Sequence, residues 1–592
     1  MKNIFSLFSK KDYLFILISI SLIVTQVWLD ITMPDFTANL TKSVSSGQVK
    51  MEDIWYNGLM MLACAFGSVV CAIICGFLVS VVASSFSKNT RNKLFEKIST
   101  FSSDEMNKLT ISSLITRTTN DVDQLHRFIA MGLQMIIKAP ILAIWAICKI
   151  SSSSTEWTLA TAICVIFIVL FVSIIIFLCV PKFKKVQKLT DNLNNVTREN
   201  LSGIRVVRAF NAEKYQEQKF EKANNELTSN HLFISKVTGL ISPVLTICLN
   251  GLTLAIYWIG AVLINKAAVQ EKSVTIGNMI AFTQYAIQIV FAFMMLIFMF
   301  IILPRVIVSA KRINEVFKTN SKIKDGDITS LKNNDGDITS LKNNDGIIEF
   351  KNVSFCFPDG ANNFLENINF KINKGETVAI IGATGSGKTT LLDLLTRTYD
   401  VTGGEIIVDN HNIKDYSIKQ LQNKFAIASQ KPSLFKGTIK HNITYGFNYE
   451  VADDNLMLKK AIDVAKADFV YDLEKGVNSD VSQGGSNFSG GQKQRLSIAR
   501  AIFKDAEIII FDDSFSALDY KTDALVRKNI KQQLNNKTII IVSQRIGTIL
   551  NADKIIVLDE GKIVGIGKHN NLLKTCSIYK EIALSQLSKE EL

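Results

Sequence analysis

Long apolar runs fill the first half of the chain and vanish from the second. Six runs, at 13–40, 54–80, 128–150, 157–180, 241–264 and 276–303, each supply the roughly 20 mostly apolar residues that carry a helix across a bilayer core of about 30 Å. The first run is too long for a signal peptide, carries Asp30 and Pro34, and lacks a small-residue cleavage site. The loop at 88–127 holds Lys88, Arg91, Lys93, Lys97, Lys108, Arg117 and Arg127, and the loop at 181–240 opens with Lys182, Lys184, Lys185 and Lys188. The alternate loops, 43–53, 151–156 and 265–275, are short and poor in basic residues, so the positive-inside rule places both termini in the cytoplasm. Trp55 and Trp157 fall at the predicted outer boundaries, as an aromatic belt requires. Segments 84–110 and 182–237 read as charged amphipathic helices that continue the membrane helices, with tips able to touch a motor domain.

After the sixth run the pattern changes. Residues 325–344 are a perfect tandem repeat of Asp-Gly-Asp-Ile-Thr-Ser-Leu-Lys-Asn-Asn. This polar, Gly-containing composition suits a linker, and a neutral duplication in a tolerant loop is the favoured reading. From residue 347, short β-like runs (347–350, 377–381, 405–408, 508–511, 538–542, 554–558) alternate with helical stretches, the pattern of an α/β domain. The predicted organisation is a membrane all-α domain at 1–315, a linker at 316–345 and a cytoplasmic α/β domain at 346–592.

Composition agrees. A hydrophobic fraction of 48% over 592 residues excludes a disordered chain and disfavours a wholly soluble one. The net charge of +13 is accounted for by the cytoplasmic loops, so no nucleic-acid partner is implied. The nine Cys show no paired spacing and read as reduced thiols. Usage rich in Lys, Asn and Ile fits an AT-rich bacterial genome.

The second half carries the chemistry. Gly382-Ala383-Thr384-Gly385-Ser386-Gly387-Lys388-Thr389 follows the run 377–381 and precedes a helical run that starts at Thr390. This is the GxxxxGK[ST] phosphate loop in its required strand-to-helix context. Its glycines let successive N–H groups surround phosphate oxygens, Lys388 supplies charge to the β- and γ-phosphates, and Thr389 offers a hydroxyl to Mg²⁺. The apolar run 508–511 ends in Asp512, the carboxylate that holds Mg²⁺ in such ATPases. ATP and Mg²⁺ are therefore the expected cofactors.

Between these motifs lies Ser489-Gly490-Gly491-Gln492-Lys493-Gln494-Arg495, which resembles the signature of ATP-binding cassette (ABC) ATPases. The resemblance extends to Phe357 before Pro358, implied to stack on adenine, to Gln430, implied to link Mg²⁺ to the membrane half, and to the D-loop 516–519, which ends in Asp519. The stretches 199–210 and 309–316 are similar to membrane halves of the exporter type. The resemblance implies a half-transporter: one set of six helices and one cassette per chain, so that two chains assemble. It also implies that ATP lies between one phosphate loop and the partner's signature, and that amphipathic drug-, lipid- or peptide-like substrates move outward through the bilayer.

Two positions depart from that pattern. Asp513 stands where an active cassette usually has Glu, and Gln544 stands where the switch loop usually has His. Asp loses a methylene, about 1.5 Å of reach, and errors near 1 Å can cost about 10²-fold in rate. Gln can hydrogen-bond but cannot become cationic. Both changes fall at the γ-phosphate end of one site while the binding residues and the signature are intact. The pattern resembles the degenerate-site subunit of heterodimeric bacterial ABC exporters. The alternatives are a slow homodimer in which Asp513 still serves as base, or an ATP-binding regulatory membrane protein.

Within the membrane half, Asp30 is a candidate substrate contact, with local pairing as the plainer reading. Lys138 suggests packing or snorkelling. Cys64, Cys71 and Cys75 share a helical face, which helix packing explains more simply than a soft metal does.

Overall fold

The computed structural model describes residues 7–45, 51–151, 155–266, 269–328, 347–358, 360, 362–447 and 455–587. The chain forms two compact units, Met1–Ser99 with Ile111–Thr319, and Thr100–Thr110 with Asn320–Leu592. Residues 329–344 of the tandem repeat lie outside the described residues.

The first unit is helical. It comprises α1 (Lys10–Ser45), α2 (Met51–Ser99), α4 (Ile111–Thr118), α5 (Asn120–Arg127), α6 (Leu133–Ser151), α7 (Thr155–Ser202), α8 (Ile204–Ala209), α9 (Glu213–Gly239), α10 (Ile241–Lys266) and α11 (Val269–Lys318); α3 (Ser103–Leu109) belongs to the second unit. Among the described residues, six segments are long and apolar enough to cross a membrane. On α1 the buried residues Ser19, Ile23, Val27, Ile31 and Pro34 recur every three or four positions, so one stripe faces the bundle. That stripe packs with Cys75 and Val79 of α2 and with Ala139, Ala143 and Ala146 of α6, whose small side chains let the helices approach closely. Cys75 Sγ contacts Ser19 O at 3.9 Å, and the cysteines remain unpaired thiols. Among the described residues no cluster suited to a metal ion occurs.

Three expectations need correction. Segment 182–237 is not one helix. α7 ends at Ser202, and Asn211 takes φ 49°, a left-handed conformation that Asn tolerates, so the chain turns through the short α8 before α9. Trp157 is no belt residue. It is 2% exposed, its Nε1–H donates to Ile256 O at 3.2 Å, and its ring lies 4.6 Å from that of Phe282, whereas Trp55 is exposed. Lys138 does not snorkel: its Nζ pairs with Asp30 Oδ2 at 3.2 Å. Ser68 Oγ donates to Asp30 Oδ1 at 2.5 Å, and Gln288 Nε2 donates to Asp30 O at 2.9 Å. Asp35 repeats the arrangement, with Lys149 Nζ at 2.7 Å and Tyr285 Oη donating at 2.5 Å. Each intramembrane carboxylate thus has a counter-ion, as a medium hostile to lone charge demands.

The second unit is built on a six-stranded sheet of order β12-β11-β3-β10-β9-β6, in which β11, β3, β10, β9 and β6 are parallel and β12 is an antiparallel edge. The ranges are β3 (Thr377–Ile381), β6 (Phe425–Ala428), β9 (Ile508–Asp512), β10 (Thr538–Val542), β11 (Lys554–Asp559) and β12 (Lys562–Gly567), while β7 (Gly437–Thr438) and β8 (Asp480–Val481) form a separate antiparallel pair. Every residue of β9 and β10 is buried, as expected for parallel strands covered on both faces. β3 shows the two faces. Val378 and Ile380 enter a core shared with an antiparallel sheet of β1 (Ile348–Phe355), β2 (Leu365–Ile372), β4 (Gly403–Val408) and β5 (His411–Asn412), while Ala379 and Ile381 enter a helical core. Because β3, β10 and β9 are parallel neighbours, with Val542 paired to both Ile380 and Asp512, the loops after all three leave one edge of the sheet together.

The first repeat copy is not merely a spacer. Asp325 to Ile328 pack onto the second unit, where Ile328 forms a parallel bridge with Tyr416. These four residues, which read as polar linker in the sequence, are held because Tyr416 and its neighbours offer them hydrogen bonds.

Candidate nucleotide site

The phosphate loop links β3 to α12 (Lys388–Leu395). Gly385 and Gly387 take φ of 87° and 102°, which a side chain disfavours, and a β-carbon on Gly387 would lie 2.6 Å from Leu365 Cδ2. A β-carbon on Gly382 would collide with Leu558 O. Gly385 meets nothing within 4 Å, so the crest of the loop is open. Lys388 Nζ donates to Gly382 O at 2.9 Å and Ala383 O at 2.7 Å, and lies 3.3 Å from Ser386 Oγ. Burial lowers its ammonium from the usual Lys range, against the opposing pull of the Asp513 and Asp512 carboxylates. Thr389 is exposed and Thr390 buried in the first turn of α12.

Asp512 ends β9, 8% exposed. Burial pushes its carboxyl up to about 6, the Asp513 carboxylate adds to the rise and Lys388 opposes it. Asp513 has φ 46°, and its N–H donates to Val542 O at 2.9 Å. Gln430 Nε2 donates to Asp513 Oδ2 at 3.3 Å. Thr384 Oγ1 donates to Gln544 Oε1 at 3.4 Å, and Gln586 Nε2 donates to Gln544 O at 2.7 Å. The structure therefore gathers Thr384, Lys388, Gln430, Asp512, Asp513 and Gln544 around one loop. The donor set fits the expected ligands: curled N–H groups and an ammonium for phosphates, and the oxygens of Thr389, Gln430 and Asp512 for a hard cation such as Mg²⁺.

Phe357 sits half-buried in an aromatic cluster, edge-on to Phe355 (4.9 Å), Phe364 (5.2 Å) and Tyr399 (5.8 Å). Sequence reading missed Phe364, which spans from this cluster to the phosphate loop; its ring would lie 3.5 Å from a β-carbon on Gly387. It also missed Asp393, whose carboxyl is pushed to about 6 by burial and then by Asp512. Only its position five residues after Lys388 could have suggested it.

The signature stands apart from this cluster. Ser489 caps α13 (Gly490–Phe503) through a reciprocal pair: Gln492 N donates to Ser489 Oγ at 3.3 Å and Ser489 N donates to Gln492 Oε1 at 2.9 Å. Gly490 has nothing within 4 Å of an added β-carbon, and Gly491 would meet Ala517 O at 3.3 Å. Among the described residues no hydrogen bond joins residues 489–492 to the phosphate loop. Asp519 caps α14 (Tyr520–Gln533) by accepting from Thr522 N at 2.9 Å, which holds its carboxyl below the usual range.

Comparison with known proteins is consistent along the chain. Residues 14–293 match the family model for the ABC transporter transmembrane region, and residues 365–516 match the family model described as ABC transporter. An uncharacterized ABC transporter ATP-binding protein of Mycobacterium tuberculosis is 36% identical over 89% of this chain and 88% of its own length. An ATP-dependent lipid A-core flippase of Syntrophus aciditrophicus is 30% identical over 88% of this chain and 84% of its own. The solved structure of a bacterial Atm1-family ABC exporter with ATP bound superposes with a TM-score of 0.78, covering 97% of this chain and 99% of that one at 21% identity, a likeness of fold.

Proposed function

Because the chain belongs to the ABC transporter family and fuses the transmembrane region to the ATPase, we propose that it is the slow-site subunit of a heterodimeric, ATP-driven exporter in a bacterial plasma membrane, with both termini cytoplasmic. The observation that supports this reading is that both unusual residues lie near the phosphate loop: Gln544 accepts from Thr384 at 3.4 Å, and the Asp513 carboxylate acts on the Lys388 ammonium.

ATP, when bound with Mg²⁺, supplies the phosphoryl chemistry. The chain's own residues divide the work. Phe357, supported edge-on by its aromatic neighbours, is the ring that stacks on the base. The loop 382–387, Lys388 and Thr390 hold the phosphates, and Thr389, Gln430 and Asp512 hold the cation. Asp513 is placed to orient water but is one methylene short, and Gln544 accepts a hydrogen bond without bringing charge. Binding is thus retained while the chemical step is slowed. Ser489, Gly490, Gly491 and Gln492 present an uncluttered helix end to the partner's nucleotide, and Asp519 fixes the helix that follows the D-loop.

For substrate we favour amphipathic, lipid-like molecules. An apolar cleft of about 380 Å³ runs between α7, α10 and α11, lined by Ile176, Cys179, Ile241, Phe300 and Pro304, with Lys311 among its lining. Its size and apolarity suit an acyl chain, and the flippase relative is named for a lipid.

Gentle purification through a tag on this chain tests the assembly. Native mass should show a second, similar chain in equal amount. A complex of two 65.9 kDa copies with full ATPase activity would instead mean that Asp513 and Gln544 suffice.

A further inference from the structure

We propose that the cytoplasmic unit carries a binding site for the tetrapeptide Asp-Gly-Asp-Ile, and that the tandem repeat gives the chain two interchangeable copies of its ligand. The first copy, Asp325 to Ile328, is docked. Ile328 N donates to Asp415 O at 2.9 Å, Ser417 N donates to Ile328 O at 3.0 Å, and Gly326 N donates to Tyr416 O at 3.2 Å. Asp325 Oδ1 accepts from Ile418 N at 2.6 Å. Arg397, 5% exposed, donates to Lys324 O at 2.7 Å and to Tyr416 O at 3.2 Å, so it joins the docked strand to its floor. The Ile328 side chain packs against the core that holds Tyr416. Gly326 lies so close to Asp415 that any β-carbon would strike its carbonyl. The site therefore selects a carboxylate first, glycine second and an apolar residue fourth. The third residue, Asp327, is exposed.

Residues 335–338 meet all of these requirements, because their sequence is identical. Lys332 would stand where Lys322 pairs with Asp104 at 2.6 Å, and a backbone carbonyl at Asn334 can replace that of Lys324. One buried position differs: Ile323 has Asn333 as its counterpart. The first register is accordingly the more stable, and the second fills the site when the first is disabled or drawn away. A shift between them moves ten residues, up to about 33–36 Å of extended chain, from the stretch before β1 to the stretch after α11. The repeat is thus a two-position adjuster of the connection between the membrane helices and the ATPase.

The test is capture of each copy in the full-length chain, with native cysteines replaced. Lys414→Cys is joined by a short bismaleimide to a cysteine placed at either Asp327 or Asp337. Capture should favour position 327 in the otherwise unaltered chain. With Gly326→Val it should rise severalfold at 337 and fall again when Gly336→Val is added. If 337 is captured no better in the Gly326→Val chain than in the double variant, the proposal is wrong. Ile328→Asp disables the first copy by another route and should give the same transfer to 337; no transfer with either variant overturns the two-register reading even if one of them is poorly folded.

Discussion

Asp513→Glu combined with Gln544→His should raise ATP turnover at this chain's own phosphate loop by about 10²-fold, the size expected when a general base returns to reach. The surrounding parts already stand in place. Lys388 bridges two loop carbonyls, Asp512 closes β9, and Gln430 meets the carboxylate that would be lengthened. One cost opposes the gain. Residue 513 has a left-handed backbone, where Asp is better tolerated than Glu, a penalty on the order of 1 kcal/mol. Each single change should therefore give less than the pair. The readout is single-turnover hydrolysis in a complex whose partner site is disabled. Unchanged turnover, with ATP still bound, would mean that something other than reach and charge limits this site.

Asp30→Ala should destabilise the membrane unit by roughly 3 kcal/mol, because it strands the Lys138 ammonium among apolar helices. The pair joins α1 to α6, and Ser68 and Gln288 tie α2 and α11 to the same residue, so the loss should spread through the bundle. Asp30→Asn with Lys138→Gln should recover most of it, since no lone charge remains. Thermal unfolding in detergent distinguishes the outcomes. If the double variant is as unstable as Asp30→Ala alone, Asp30 contributes something besides neutralising Lys138.

The legible parts of this chain are those whose signal is local. The phosphate loop needs only its glycines, the preceding strand and Lys388. The six spans need only length and apolarity, and the four runs of the parallel sheet and those of β1 and β4 need only short β-branched stretches bounded by turns. What escaped depends on distant partners. Lys138 reads as a solitary cation until α6 is set against α1, 108 residues away. Trp157 reads as an interface residue until Ile256 O is found beside its indole. The turn at 203–212 is signalled by little more than Gly203 and Asn211 inside a long helical pattern. The docking of Asp325 to Ile328 is invisible without Tyr416, because a polar repeat containing glycine looks like any linker. Phe364 and Asp393 carry no motif at all, and only the folding of β2 and α12 against the phosphate loop brings them to the nucleotide site.

The proposed division of labour between two nucleotide sites is tested most directly by ATP turnover of the intact complex after one carboxylate is neutralised at a time. Neutralising the partner's catalytic carboxylate should nearly abolish turnover, while Asp513→Asn should lower it by less than about twofold. Equal losses from the two substitutions would contradict the account, and would make Asp513 a working base in a symmetric machine.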